Sequence, residues 1–167
     1  MKRILLLSDT HIPERAKKLP DEIWRKIEEY DGVIHCGDFT SESFYQEIKS
    51  LAKQLWAVRG NMDDAELFFK LPEKLVIEIE GVKIGIYHGE GAPYFIEKRV
   101  LKRFENEKVN LIIFGHSHHA CDKVVSGIRM VNPGSPTDTF FSPRLTYGEL
   151  VLDNGEVKGV VIHEVKP

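Results

Sequence analysis

The stretch Ile4-Leu5-Leu6-Leu7 is apolar at four consecutive positions, and similar short runs return at 32–36, 54–58, 82–87 and 111–114, each bounded by turn residues. Counted from residue 3 to 8, the first of these runs sets the pattern. Runs of this length without alternation predict strands that are covered on both faces. Between them, 21–30, 43–51 and 93–105 carry helical spacing, with Asp21 and Ser41 placed to cap the first two helices. Residues 74–80 alternate Leu75, Ile77 and Ile79 with polar neighbours, and Gly81 then leads into the next run, which predicts a hairpin. Beyond Asp122 the pattern changes: 123–126, 128–131, 145–152 and 157–165 read as strands turned at Gly127 and Asn154-Gly155, with no helix among them. Strands alternating with helices predict an α/β layered fold. The connection 132–144 carries Pro133, Gly134, Pro136 and Pro143, so it is expected to be irregular, and its length points to a functional role.

A chain of 167 residues is enough for one sizeable core, and the expectation is a single domain spanning 1–167. Lys and Arg number 23 against 26 Asp and Glu, a net charge of −3, which argues against a broad nucleic-acid footprint while leaving a local basic groove open. The first apolar run is too short to cross a membrane and is interrupted at once by Asp9 and His11, so neither a signal peptide nor an anchor is expected. Cys36 and Cys121 form no CxxC pair, and a reducing cytoplasmic setting is the default.

The chemistry lies where the apolar runs stop. They end in Asp9 and His11, in Asp38, in Asn61, in His88, and in His116 and His118. In open α/β sheets ligands bind outside the carboxyl ends of the strands, so side chains distant in sequence can converge there. Two aspartates, an asparagine and four histidines are too many donors for one tetrahedral ion and enough for two adjacent ones. Mixed nitrogen and oxygen donors suit manganese, iron, zinc, nickel or cobalt, whereas magnesium and calcium prefer oxygen alone. Two such ions close together suit phosphoester hydrolysis.

Asp9-Thr10-His11, Gly37-Asp38, Gly60-Asn61, His88-Gly89 and Gly115-His116-Ser117-His118 follow one another in the order and spacing of the calcineurin-like metallophosphoesterases. Asn132-Pro133-Gly134-Ser135 is similar to a further block of that family's small bacterial and archaeal phosphodiesterase branch, so the resemblance covers essentially the whole chain. It implies a four-layer α/β-β/α sandwich. It also implies one metal held by Asp9, His11, Asp38 and His118 and a second held by Asp38, Asn61, His88 and His116, with Asp38 bridging. Asp38, Asn61 and His116 then stand as the catalytic residues, manganese as the first metal, and nickel, iron, zinc or cobalt behind it. The implied activity is hydrolysis of a small phosphodiester by in-line attack of a metal-bridging hydroxide, in a homo-oligomer, dimer or tetramer. Gly37, Gly60, Gly89 and Gly115 are expected to let the backbone turn sharply beside these residues.

One position departs from the family. Many relatives carry Gly-Asn-His-Asp/Glu, in which the histidine protonates the leaving oxygen, whereas here the run is Gly60-Asn61-Met62-Asp63. Methionine donates no proton, so the expectation is a preference for leaving groups that need little protonation, such as aryl phosphodiesters. Two alternatives stand beside this reading: a protein-interaction scaffold like the related retromer vacuolar sorting subunit, and a phosphomonoesterase or nuclease of the same superfamily. The scaffold branch departs from the complete histidine set, and the presence of His88, His116 and His118 favours catalysis.

The remaining residues carry blander expectations. His119 is read as exposed or as supporting the ligands, His35 as a hydrogen-bonded core histidine, and His163 as surface. Asp63 either orients the Asn61 loop or, with Asp64, caps a helix. Arg59 and Arg144 either contact phosphate or form surface ion pairs. Cys36 is read as a small buried hydrophobe. Trp24, Trp56 and the Phe68-Phe69 pair are assigned to core or edge packing, and Phe140 and Phe141 to a substrate pocket or an oligomer contact.

Overall fold

The computed structural model describes residues 1–166. Its elements run β1 (Lys2–Leu7), α1 (Asp21–Glu29), β2 (Gly32–His35), α2 (Glu42–Leu51), β3 (Leu55–Ala57), α3 (Ala65–Lys70), β4 (Lys74–Ile79) and β5 (Val82–Tyr87). There follow α4 (Ile96–Lys102), β6 (Leu111–Phe114), β7 (Cys121–Val125), β8 (Ile128–Asn132), β9 (Thr146–Asp153) and β10 (Glu156–Glu164). The strands form two five-stranded sheets, in the orders β10-β9-β1-β2-β3 and β4-β5-β6-β8-β7.

The unbroken apolar runs are explained by layering. Because side chains alternate along a strand, Ile4 and Leu6 face one way and meet Ile84, Ile86, Leu111 and Ile113 in a core between the two sheets. Leu5 and Leu7 face the other way and pack with Ile23, Ile27, Phe44 and Ile48 of α1 and α2. On the outside of the second sheet, Ile112, Phe114 and Met130 bury Ile96, Val100 and Phe104. The result is the expected four-layer α/β-β/α sandwich. β1, β2 and β3 pair parallel, as do β5, β6 and β8, so their carboxyl ends open on one rim, while the antiparallel strands lie at the sheet flanks.

Several local expectations need correction. The amino-terminal cap of α1 is Pro20 rather than Asp21, without a side-chain cap; Asp21 instead sits in the first turn, where its charge complements the helix dipole. Ser41 does cap α2, accepting from the Phe44 amide at 3.3 Å. The helix expected at 93–105 covers only Ile96–Lys102, because beyond it the amides of Arg103, Phe104 and Glu105 bond three residues back and tighten the chain into turns. The short helix α3 was not predicted: it has six residues and one buried side chain, Leu67, so no periodicity announces it. Phe68 and Phe69, beside Leu67, are exposed rather than packed in the core. Among the described residues no helix is long and apolar enough to cross a membrane.

Candidate metal centre

All seven expected side chains meet on the rim where the parallel strands end. The backbone that carries them is unusual: Asp9, His11, Asp38, His116 and His118 adopt left-handed conformations with φ between 43° and 71°. Residues other than glycine avoid this region, and strain of this kind persists where surrounding contacts impose it. Two of the four neighbouring glycines, Gly37 and Gly89, have positive φ as expected. Gly60 and Gly115 do not; they are required for space, since a Cβ on Gly60 would strike the Asp38 carboxylate and one on Gly115 would strike Ser8 and Asp9.

Two clusters of donor atoms result, Asp9 with His11 and His118, and Asp9 with Asp38 and His88, each lying within 4.8 Å. Asp38 Oδ2 stands 3.4 Å from His11 Nε2 and 3.2 Å from His88 Nε2, and Asp9 Oδ1 lies 3.4 Å from His118 Nε2 and 3.7 Å from His88 Nε2. Both carboxylates therefore reach across the site, not Asp38 alone. Asn61 Oδ1 sits 3.0 Å from His88 Nε2 and 3.2 Å from His116 Nδ1, which places the last two expected residues beside the second cluster.

Hydrogen bonds to the far nitrogens decide which atom of each ring faces inward. His88 Nδ1 donates to the Cys36 carbonyl at 2.7 Å, His116 Nε2 to the Gly91 carbonyl at 2.8 Å, and His118 Nδ1 to Asp138 Oδ2 at 2.5 Å. The opposite nitrogens point inward, His88 Nε2 and His118 Nε2 to the carboxylates and His116 Nδ1 to Asn61 and His88, where each could bind a cation, the arrangement seen in metal-binding histidines. The outer oxygens are occupied: Asp9 Oδ2 accepts from Ser8 Oγ and the His116 amide, and Asp38 Oδ1 accepts from the Met62 amide at 2.8 Å.

Charge follows the same geometry. Burial opposes ionisation of Asp9, but the neighbouring His88 and His118 charges hold its carboxyl well below the usual range. Burial also opposes protonation of His88, yet Asp38 and Asp9 raise it to about 9. His118 is raised against its burial by Asp9 and Asp138, whereas His11 is lowered by burial. Two buried atoms at the centre, Asp9 Oδ1 and His11 Nε2, have no hydrogen-bond partner. Buried polar atoms are nearly always satisfied, so orphaned donors aimed at a shared point fit a cation that takes the place of protons.

The loop 132–144 closes the site from behind, through Asn132 and Ser135 of the Asn-Pro-Gly-Ser block and through Thr137 and Asp138 beyond it. Ser135 Oγ donates to the Asp9 carbonyl at 2.7 Å and Thr137 Oγ1 to the Thr10 carbonyl at 2.6 Å. Asn132 Nδ2 bonds the Gly115 carbonyl and Ser117 Oγ. The length and proline content of the loop pointed to function, and Ser135 falls in the Asn-Pro-Gly-Ser block; Asp138 had no local signal. Asp63 and Asp64 fulfil both of their alternatives. Asp63 Oδ2 accepts from the Gly60 and Asp38 amides at 2.7 and 3.1 Å, and Asp64 caps α3 by accepting from Leu67 at 3.0 Å. Burial raises the Asp63 carboxyl to about 6.

His35 is fully buried and hydrogen-bonded, Cys36 is buried with its thiol pushed up by burial, and His119 is exposed. His163 is half-buried rather than on the surface, stacked on Tyr147 with ring centroids 5.1 Å apart. Among the described residues Arg59 forms no ion pair; it donates to the carbonyls of Phe68 and Leu71, lies over the Phe68 ring and lines a cavity shared with Asn61 and His88. Arg144 pairs with Glu164 at 3.8 Å. Trp24 packs against the α1–α2 core and Trp56 against the inter-sheet core.

Residues 1–155 match the model of the calcineurin-like phosphoesterase superfamily domain. A probable metallophosphoesterase of Methanocaldococcus jannaschii is 37% identical over 133 residues, 79% of this chain and 67% of that protein. A Thermotoga maritima protein solved by solution NMR is 41% identical, with 99% and 100% of the two chains covered and a TM-score of 0.78. Vacuolar Protein Sorting 29 from Cryptosporidium parvum shares the fold, with a TM-score of 0.80 at 22% identity over 99% of this chain and 98% of that one.

Proposed function

Because the chain belongs to the calcineurin-like phosphoesterase superfamily, we propose that it is a phosphodiesterase that works with two divalent cations, manganese first. The observation that carries this reading is the pair of donor clusters with Asp9 Oδ1 and His11 Nε2 unsatisfied at their centre. Asp9, His11 and His118 would hold one ion, Asn61, His88 and His116 the other, with Asp38 between them. Bound there, the cations would offset negative charge on the phosphoryl oxygens and acidify a water molecule.

The chain's own groups do the rest. Asp38 is pinned through Oδ1 by the Met62 amide, so its Oδ2 alone faces inward. Asn61 turns its carbonyl to His88 and His116 and lines the cleft, where its amide NH2 would be available to donate to a phosphoryl oxygen. Met62 is 59% exposed beside the same cleft, where a thioether offers no proton to a departing alkoxide. Substrates whose leaving group departs as a stable anion are therefore favoured.

Chelator-stripped protein should regain hydrolysis of bis(p-nitrophenyl) phosphate on addition of manganese, exceed its rate on the p-nitrophenyl monoester, and lose the activity in Asp38→Ala. Met62→His should raise turnover of alkyl diesters, relative to aryl ones, by about 10- to 100-fold as the leaving oxygen gains a proton donor. Absence of turnover with any divalent metal would favour the scaffold reading, and strong wild-type activity on alkyl monoesters would contradict the leaving-group argument.

A further inference from the structure

We infer that Phe141 divides the cleft over the metal centre into two arms, one for each ester group of a phosphodiester, and that a flat aromatic ring stacks beside Phe141 and Arg15 in one of them. The inference rests on the phosphodiesterase reading and adds the shape and chemistry of its substrate. Two cavities, of about 470 and about 300 Å³, both open on His116 and His118 and share Phe141 as a wall. The larger runs past Arg15, Thr40 and Met62, and the smaller past Pro93, Ser117 and His119. A diester sends two substituents away from phosphorus at a tetrahedral angle. With phosphorus at the two histidines, one substituent enters each cavity, whereas a monoester leaves one of them empty.

The dividing wall is fixed to the metal centre. Asp138 holds His118 through Oδ2, and its Oδ1 accepts from the amides of Phe140 and Phe141 at 2.9 and 3.3 Å. The Phe141 ring stands edge-on to His118, with centroids 6.3 Å apart, and to Phe140 at 4.7 Å. The Arg15 guanidinium lies 5.0 Å from the Phe141 centroid and 5.6 Å from that of Phe140. Yet Phe141 remains 56% exposed and Phe140 76% exposed, with Met62 across the larger cavity. Apolar rings left exposed at the edge of a charged site match a ligand with an aromatic face, which would cover them and meet the flat cation of Arg15.

The test uses probes with no ester bond to cleave, so recognition is separated from leaving-group chemistry. Diphenylphosphinate and dimethylphosphinate are titrated calorimetrically into manganese-loaded protein whose metal content is measured on the same sample. Diphenylphosphinate should bind about tenfold more tightly to the wild type. Phe141→Ala should weaken diphenylphosphinate about 3- to 10-fold and leave dimethylphosphinate unchanged, and Phe141→Trp should keep the preference. Phe69→Ala removes an exposed ring outside both cavities and should change neither. Equal affinity for the two probes in a protein that binds manganese and dimethylphosphinate would overturn the inference and leave the phosphodiesterase reading standing. The same holds for a Phe141→Ala loss shared by both probes. Failure of metal-loaded protein to bind either phosphinate would overturn both.

Discussion

His35 is uncharged at neutral pH because both of its nitrogens are already committed. Its Nδ1 accepts from the Gly37 amide at 3.1 Å, its Nε2 donates to Thr10 Oγ1 at 3.1 Å, and the ring stacks on Phe39 with centroids 3.6 Å apart. A second proton would face the Gly37 N–H, and burial lowers the ring to about 3. The unfolded chain, by contrast, takes up that proton near pH 6.5. This contribution to stability is complete above pH 6.5 and is lost as pH falls toward 3, at about 1.4 kcal/mol per pH unit. In chelator-treated protein, His35→Gln should be less stable at pH 7 but should lose less between pH 6.5 and 4.5 in urea unfolding; parallel curves would contradict this. Asp138 acts at the same scale. Asp138→Asn keeps an oxygen for the Phe140 and Phe141 amides but removes the charged partner of His118, so manganese affinity should fall about 10- to 100-fold by calorimetric titration. Unchanged affinity would show that His118 needs no such support.

Among the elements, the helix starts next to the site are tied together by one side chain. Asp64 Oδ1 caps α3, and its Oδ2 accepts from the Glu42 amide at 3.0 Å in the first turn of α2. Ser41→Ala should cost about 1 kcal/mol, as a lost cap does, and Asp64→Ala about 1–2 kcal/mol because two helix ends lose a partner. Equal urea midpoints for the two variants would contradict that linkage. The strands were legible because layering leaves its mark on composition: Ile4-Leu5-Leu6-Leu7 is apolar throughout since each face meets a different layer. α3 was not, because its single buried residue, Leu67, leaves Phe68 and Phe69 in solvent with no pattern to read. The early stop of α4 was hidden too, since turns bonded three residues back continue the helical spacing of Arg103 and Phe104 without the helix.

For the molecule as a whole, two sheets facing each other bring the carboxyl ends of β1, β2, β3, β5 and β6 to one rim. The polar residues that end those runs therefore became a site as soon as the layers were assembled. That is why Asp9, Asp38, His88 and the histidines after β6 could be named from sequence. Asp138 could not, because it meets His118 from an irregular loop that returns to the site only after β7 and β8, 20 residues further along the chain. Nor did the sequence distinguish a glycine needed for its torsion, such as Gly37, from one needed for space, such as Gly115. The account's central claim is a pair of adjacent cation sites. Its most direct test is titration of chelator-stripped protein with manganese, followed by electron paramagnetic resonance. Two ions per chain should bind and couple, suppressing the six-line signal of isolated manganese, and His88→Ala should bind one ion that shows it. A wild type that binds one uncoupled ion, or none, would contradict the account.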